Sequence, residues 1–150
     1  MRLFASSLPL LGALLPWLST RAAGHPGLIY PQRPHTFAEL FTGAERWADR
    51  VFLVQGGRRI TFGEFFAAVD GAPAKLRQLG VRHGARVLLL AYNSPDWVLA
   101  LWAIWAVGAV PVLGNRWWSP REAEHSIALV APAAVITDAE GLAAGVPVLD

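Results

Sequence analysis

Residues 86–113 read RVLLLAYNSPDWVLALWAIWAVGAVPVL, and this stretch decides the fold. It opens with Arg86-Val-Leu-Leu-Leu-Ala91, a continuous apolar run of strand length. A strand wetted on one face alternates apolar and polar residues, whereas an unbroken run belongs to a sheet covered on both faces. Asn93-Ser-Pro-Asp96 follows, with Ser94 placed to cap a helix, Pro95 at its first position and Asp96 near its positive end. From Pro95 to about Val107 the sequence is apolar nearly all round, which predicts a deeply buried helix. Gly108 closes it, and Val110 to Leu113 reads as the next strand.

The same grammar continues on both sides. Downstream, Ser119-Pro-Arg-Glu122 is a capping box: the hydroxyl accepts from the backbone N–H three residues on, and the carboxylate reaches back. A helix to about Val130 ends before Pro132, and strands are expected at Ala134 to Thr137 and from Val146 to Leu149. Upstream, Thr61-Phe-Gly-Glu64 is a second box. Phe62, Phe65, Phe66, Val69, Leu76 and Leu79 keep a helical period up to Gly80. Pro73 predicts a break near Gly71 to Pro73, because a mid-helix proline costs about 3 kcal/mol. Val51 to Val54, Gly56-Gly57 and Arg58 to Thr61 read as a hairpin. Thr36 to Glu39 forms a third box, and Phe37, Leu40, Phe41, Ala44 and Trp47 predict one buried helical face over residues 37 to 48. Strand, helix, strand, helix, strand from residue 86 onward gives the expected class: α/β, with helices layered on a mainly parallel sheet.

Residues 1–35 are set apart as an apolar N-terminal extension, and residues 36–150 as the folded domain. Leu3 to Leu18 carry no charge, but sixteen residues are short for a membrane span of about 20. A leader's apolar region, with Ala22 as the residue before a weak cleavage site and Thr20 at its −3 position, fits, as does an extension that packs on the domain or lies on a membrane surface. A cytoplasmic or membrane-associated location is expected, with secretion left open. The chain holds no cysteine, so disulfides, thiolate metal sites and a catalytic thiol are excluded. Its cations are twelve Arg and one Lys, scattered along the sequence, and they do not form the basic stripe of a nucleic-acid binder.

Six motifs in order carry a resemblance. They are Thr61-Phe62-Gly63-Glu64-Phe65, Leu76-Arg77-Gln78-Leu79-Gly80-Val81, Gly84-Ala85-Arg86-Val87, Asn93 to Trp97, Gly108 to Val112, and Asn115 with Ala133 to Asp138. Together they resemble the N-terminal part of the adenylate-forming (AMP-dependent synthetase/ligase) superfamily. The Trp117-Trp118 pair is similar to its acyl-CoA synthetase branch. The resemblance implies an incomplete N-terminal subdomain of that fold and a ligase using ATP, Mg2+ and CoA on a carboxylic acid. It also implies that the phosphate-binding loop and the catalytic lysine lie outside these residues, so the chain alone is expected to be inactive. The residues agree: no G-x-x-x-x-G-K-[ST] occurs, and the one lysine is Lys75.

Three departures matter. Ala85 replaces a common Asp, Pro73 interrupts a helix, and Asn115-Arg116-Trp117 shifts an arginine by one position. In some relatives that arginine approaches a CoA phosphate, so Arg116 is the cofactor-binding candidate, with a solvated loop charge as the other reading. No catalytic residue and no metal ligand is assigned. Trp97, Trp102 and Trp105 are expected in the core. Trp117 and Trp118 either flank an entrance or pack beneath their loop. His25, His35, His83 and His125 lack ligand spacing, Ser94 and Ser119 are caps, and Asp138 is read as structural. A non-catalytic α/β association module is the alternative. A small nucleotide-binding protein is weaker, for want of a glycine-rich strand-to-helix turn.

Overall fold

The computed structural model describes residues 20–21, 28–29, 33–140, 142 and 145–149. Two compact units divide the chain between Thr36 and Phe37. In the first, β1 (Thr20–Arg21) pairs antiparallel with β2 (Leu28–Ile29). Leu3 to Leu18, with their leader and membrane-surface readings, and Ala22 lie outside the described residues. Among the described residues no helix is long and apolar enough to cross a membrane.

The second unit opens with α1 (Phe37–Ala44), which tightens into a 3-10 turn at Glu45–Trp47. Its expected face is only partly buried. Ala44 is buried and Trp47 half-buried, but Phe37 is 48% exposed. The side chains of Leu40 and Phe41 lie outside the described set. Next, β3 (Val51–Gln55) and β4 (Arg58–Thr61) form the expected hairpin, turning at Gly56 with φ 57°.

Helix α2 (Phe62–Gln78) begins on the Thr61 capping box. The Glu64 N–H donates to Thr61 Oγ1 at 3.2 Å, and the Thr61 N–H donates to Glu64 Oε2 at 2.8 Å. The break expected at Pro73 does not occur, and the helix runs through it without interruption. The reason is placement: Phe65, Val69, Pro73 and Leu76 form one buried stripe, so the ring packs in the core and offsets part of the cost of the lost hydrogen bond. Gly80, at φ 87°, ends the helix with paired bonds from Gly80 N–H to Arg77 O and Val81 N–H to Leu76 O.

The main sheet contains β5 (Arg86–Leu90), β6 (Val110–Leu113), β7 (Ala134–Thr137) and β8 (Val148–Leu149). It is parallel throughout, in the order β6-β5-β7-β8. Val87, Leu88 and Leu89 are 0% exposed, as an unbroken apolar run requires. Val87 and Leu89 face a cluster with Leu76, Ala103 and Ile104, whereas Leu88 and Leu90 face Ala123 and Ile127. Burial of each such side chain contributes about 1.5–3 kcal/mol, so this strand anchors both layers.

The first layer holds α2 and α3 (Pro95–Ala106); the second holds α4 (Pro120–Val130). Ser94 caps α3 by accepting from the Trp97 N–H at 3.0 Å, and Pro95 takes the first position. Deep burial of α3 is corrected: only Pro95, Ala103 and Ile104 are fully buried. Trp97, Trp102 and Trp105 are half-buried rather than core, because a cylinder packed on the sheet and α2 leaves its remaining sides open. Phe37 covers part of that side, stacking on Trp105 at 4.0 Å and meeting Trp102 edge-on at 6.4 Å. After α3, Gly108 turns at φ 71° beneath His83, whose Cδ2 would stand 2.5 Å from an added Cβ. The Ser119 capping box starts α4, with Ser119 N–H to Glu122 Oε2 at 2.8 Å.

Candidate functional site

The strand order reverses at β5. The chain steps from β5 to β6 on one side and then returns across β5 to β7 on the other. In open α/β sheets the crevice outside the carboxyl ends at such a switch point is where ligands gather. Three segments meet there: residues 91–94 after β5, 114–119 after β6, and the turn beginning at Asp138 after β7.

Asp138 holds them together. One carboxylate oxygen, Oδ2, accepts from the Tyr92 N–H at 2.9 Å, and the other, Oδ1, accepts from Arg116 Nε and pairs with the guanidinium. The guanidinium carbon lies 4.6 Å from the centroid of the Tyr92 ring. Trp117 meets the same ring edge-on at 5.4 Å. Below this layer, Thr137 Oγ1 donates to Leu90 O at 2.7 Å and accepts from the Ala139 N–H at 3.0 Å, closing the β5–β7 seam. Gln55 Nε2 adds a 3.3 Å bond to Asn93 O, tying the hairpin to the loop after β5.

Desolvation is the largest single influence on Asp138 and raises its pKa. The Tyr92 N–H and the Arg116 hydrogen bond and charge together outweigh it, so the carboxyl sits below its ordinary value. Glu64 is lowered by the Thr61 N–H and hydroxyl, and Glu122 by the Ser119 hydroxyl and N–H. These two shifts belong to helix caps rather than to a reaction.

Arg116, the cofactor-binding candidate, is half-buried and pairs through its Nε with Asp138. The turn from β5 into α3 does not suit a triphosphate. Ser94 Oγ takes the Trp97 N–H, Ser94 O takes the Val98 N–H, and Pro95 has no N–H to offer. Among the described residues, no group of three His, Asp or Glu side chains gathers where it could hold a metal ion. No chemical step is assigned to these residues.

The Trp pair divides. Trp118 packs beneath its loop against the Leu88 and Leu90 cluster, whereas Trp117 is 79% exposed. His125 is exposed on α4, His83 packs on Gly108, and Ser94 and Ser119 serve as caps. His25 lies outside the described residues. Tyr92 was not singled out in the sequence, and Asp138 was read only as structural. One signal joins them: Tyr92, Arg116 and Asp138 each stand one to three residues beyond the carboxyl end of a strand.

Comparison with known proteins agrees with this architecture. The family model described as AMP-binding enzyme matches residues 40–149. Long-chain-fatty-acid–CoA ligase of Salmonella typhimurium is 34% identical over 122 residues, covering 80% of this chain and 22% of the relative. Salicyl-AMP ligase / salicyl-S-ArCP synthetase of Mycobacterium tuberculosis is 32% identical over 108 residues, covering 69% and 19%. The 2-succinylbenzoate–CoA ligase of Arabidopsis thaliana is 36% identical over 106 residues, covering 71% and 19%. The chain thus spans about a fifth of the length of these relatives. Among solved structures, O-succinylbenzoate Coenzyme A Synthetase from Bacillus subtilis in complex with AMP superposes with TM-score 0.67 at 25% identity, covering 74% of this chain and 30% of that one. The NpsA N-terminal subdomain from Klebsiella oxytoca shares the fold, with TM-score 0.70 at 23% identity over 76% of this chain and 29% of that chain. With the model matched across most of its length and the helix-flanked parallel sheet in place, this chain belongs to the AMP-binding, adenylate-forming enzyme family and carries part of its N-terminal subdomain.

Proposed function

We propose that residues 36–150 are scaffold for an AMP-forming acid–thiol ligase of the acyl-CoA synthetase type. In that reaction a carboxylate oxygen attacks the α-phosphorus of ATP, pyrophosphate leaves, and the CoA thiol sulfur then takes the acyl carbon as AMP departs. The observation that carries the reading is the family match across residues 40–149, running through the strand-end loops at the switch point. Curated relatives include fatty-acid, succinylbenzoate and 3-hydroxybenzoate CoA ligases, so the acid is left unassigned. The part played by these residues is to fix β5, β6 and β7 and, through Asp138, to hold the loops that follow them.

Two measurements test it. Purified 150-residue protein, given ATP and a panel of aliphatic and aromatic carboxylates, is expected to show no ATP–pyrophosphate exchange above buffer. Robust exchange would overturn the account of where the chemistry lies. The coding sequence beyond codon 150 tests the ligase itself: a continuing frame with a Thr/Ser/Gly-rich loop and then a lysine supports it. A terminator followed by unrelated sequence supports the second reading, a non-catalytic association module. That reading is favoured by the exposed ring of Trp117 and the exposed side chain of Leu113.

A further inference from the structure

The hairpin of β3 and β4 is a sheet of its own, and its two edges differ in character. On β4, Arg58 and Arg59 are exposed, and such charges guard an edge against a further strand. The β3 edge has no such guard. Val51-Phe-Leu-Val-Gln55 holds no charge, no proline and no glycine, and Val51 and Val54 are 42% and 58% exposed. Among the described residues, β4 is the strand's only partner. Gln55 and Arg58 face each other across the two-residue turn, so their N–H and C=O groups bond within the hairpin. By alternation the N–H and C=O of Val54 point the other way, and no backbone group answers them among the described residues.

We propose that β3 is a self-association edge: two copies of this chain pair their β3 strands antiparallel about Leu53, joining two hairpins into one four-stranded sheet. Charge selects both the occupant and the direction. Antiparallel pairing about Leu53 sets Arg50 of one copy beside Gly56 of the other, so no like charges meet. Parallel in-register pairing lays Arg50 on Arg50, and antiparallel pairing about Val54 lays Arg50 on Arg58. The uncharged strand therefore fits its own copy in one direction and one register. Such a contact is isologous, so it closes at two copies and leaves the arginine-bearing β4 strands outermost. The proposal concerns assembly and does not rest on the ligase reading.

Sedimentation velocity of the 150-residue protein across a dilution series tests it, and monomer and dimer in exchange are expected. Val54→Pro removes the outward donor without touching the bonds to β4, and should weaken dimerisation at least tenfold. Val54→Thr keeps the N–H and should leave dimerisation nearly unchanged, with folding of both variants checked by circular dichroism. The chain has no cysteine, so a single introduced thiol reports only on itself. Residues that face each other across antiparallel strands stand about 4.5–5.5 Å apart at Cα, within disulfide reach. In the proposed register Leu53 faces Leu53, whereas the two Val51 residues are offset by about 13 Å along the strands. Leu53→Cys is therefore expected to cross-link into dimers under mild oxidation, and Val51→Cys is not. A monomer at every concentration, or a dimer indifferent to Val54→Pro, would overturn the proposal. So would a folded Leu53→Cys protein that stays uncross-linked, or Val51→Cys cross-linking as readily. Should either Val54→Pro or Leu53→Cys unfold the chain, the remaining comparison decides by itself.

Discussion

Ala131 ends α4 at φ 44° and ψ 63°, the left-handed region, with its N–H donating to Ile127 O. An L side chain there costs about 1–2 kcal/mol, which glycine avoids, although glycine returns roughly 0.5–1 kcal/mol through its freer unfolded chain. Ala131→Gly is therefore expected to stabilise the protein slightly, by up to about 1 kcal/mol in urea unfolding. Asp138 is the other position where one side chain matters. Its folded pKa is depressed, so the unfolded chain binds the proton more readily. The stability it contributes is present above the ordinary carboxylate range, near pH 4, and is lost as pH falls through the lower folded value. Asp138→Asn removes the pairing with Arg116 while leaving an oxygen for the Tyr92 N–H. Such a partly exposed pair contributes only about 0.2–1 kcal/mol, and that is the expected loss at pH 7. At pH 3 the gap between variant and parent should narrow in the same denaturation assay.

At the scale of elements, α2 shows propensity overruled by packing. Pro73 removes the N–H that would bond Val69 O, yet the helix continues because the ring occupies the buried stripe. Pro73→Ala restores the hydrogen bond and loses part of the buried ring. A net gain of about 1–2 kcal/mol is expected, visible as a higher Tm; a lower Tm would mean that the ring's packing outweighs the backbone penalty. The caps behave otherwise. Thr61, Ser94 and Ser119 act where their local sequence put them, because a cap needs only residues three positions apart. Helix α3 lies between these cases. Its boundaries followed from Ser94, Pro95 and Gly108, but its burial did not, since uniform apolarity does not say how many neighbours will cover it.

For the molecule as a whole, β6 forms one edge of the sheet among the described residues. On β6 the N–H groups of Val110 and Gly114 bond Ala85 O and Leu89 O, so by strand alternation the Pro111 nitrogen faces outward from β5. An outward proline offers no donor, which protects the edge although Val110 and Leu113 are exposed. Pro111→Val should create an open apolar edge and raise concentration-dependent association, measured by light scattering across a dilution series. An unchanged association profile would show that the edge is protected by something other than the missing donor.

The sequence by itself determined the parts whose causes are local. The unbroken run from Val87 to Leu90 required cover on both faces, and the capping residues and Gly80 and Gly108 set where helices start and stop. Alternation of strands with helices gave the parallel sheet. Tertiary structure alone decided that β6 and β7 take opposite sides of β5, that Pro73 stays within a helix, and that Asp138 reaches both Tyr92, 46 residues away, and Arg116, 22 residues away. The physical reason is range. Caps and turns act over three or four residues of backbone, whereas strand order and the pairing of distant loops depend on which apolar faces bury one another once the chain has folded.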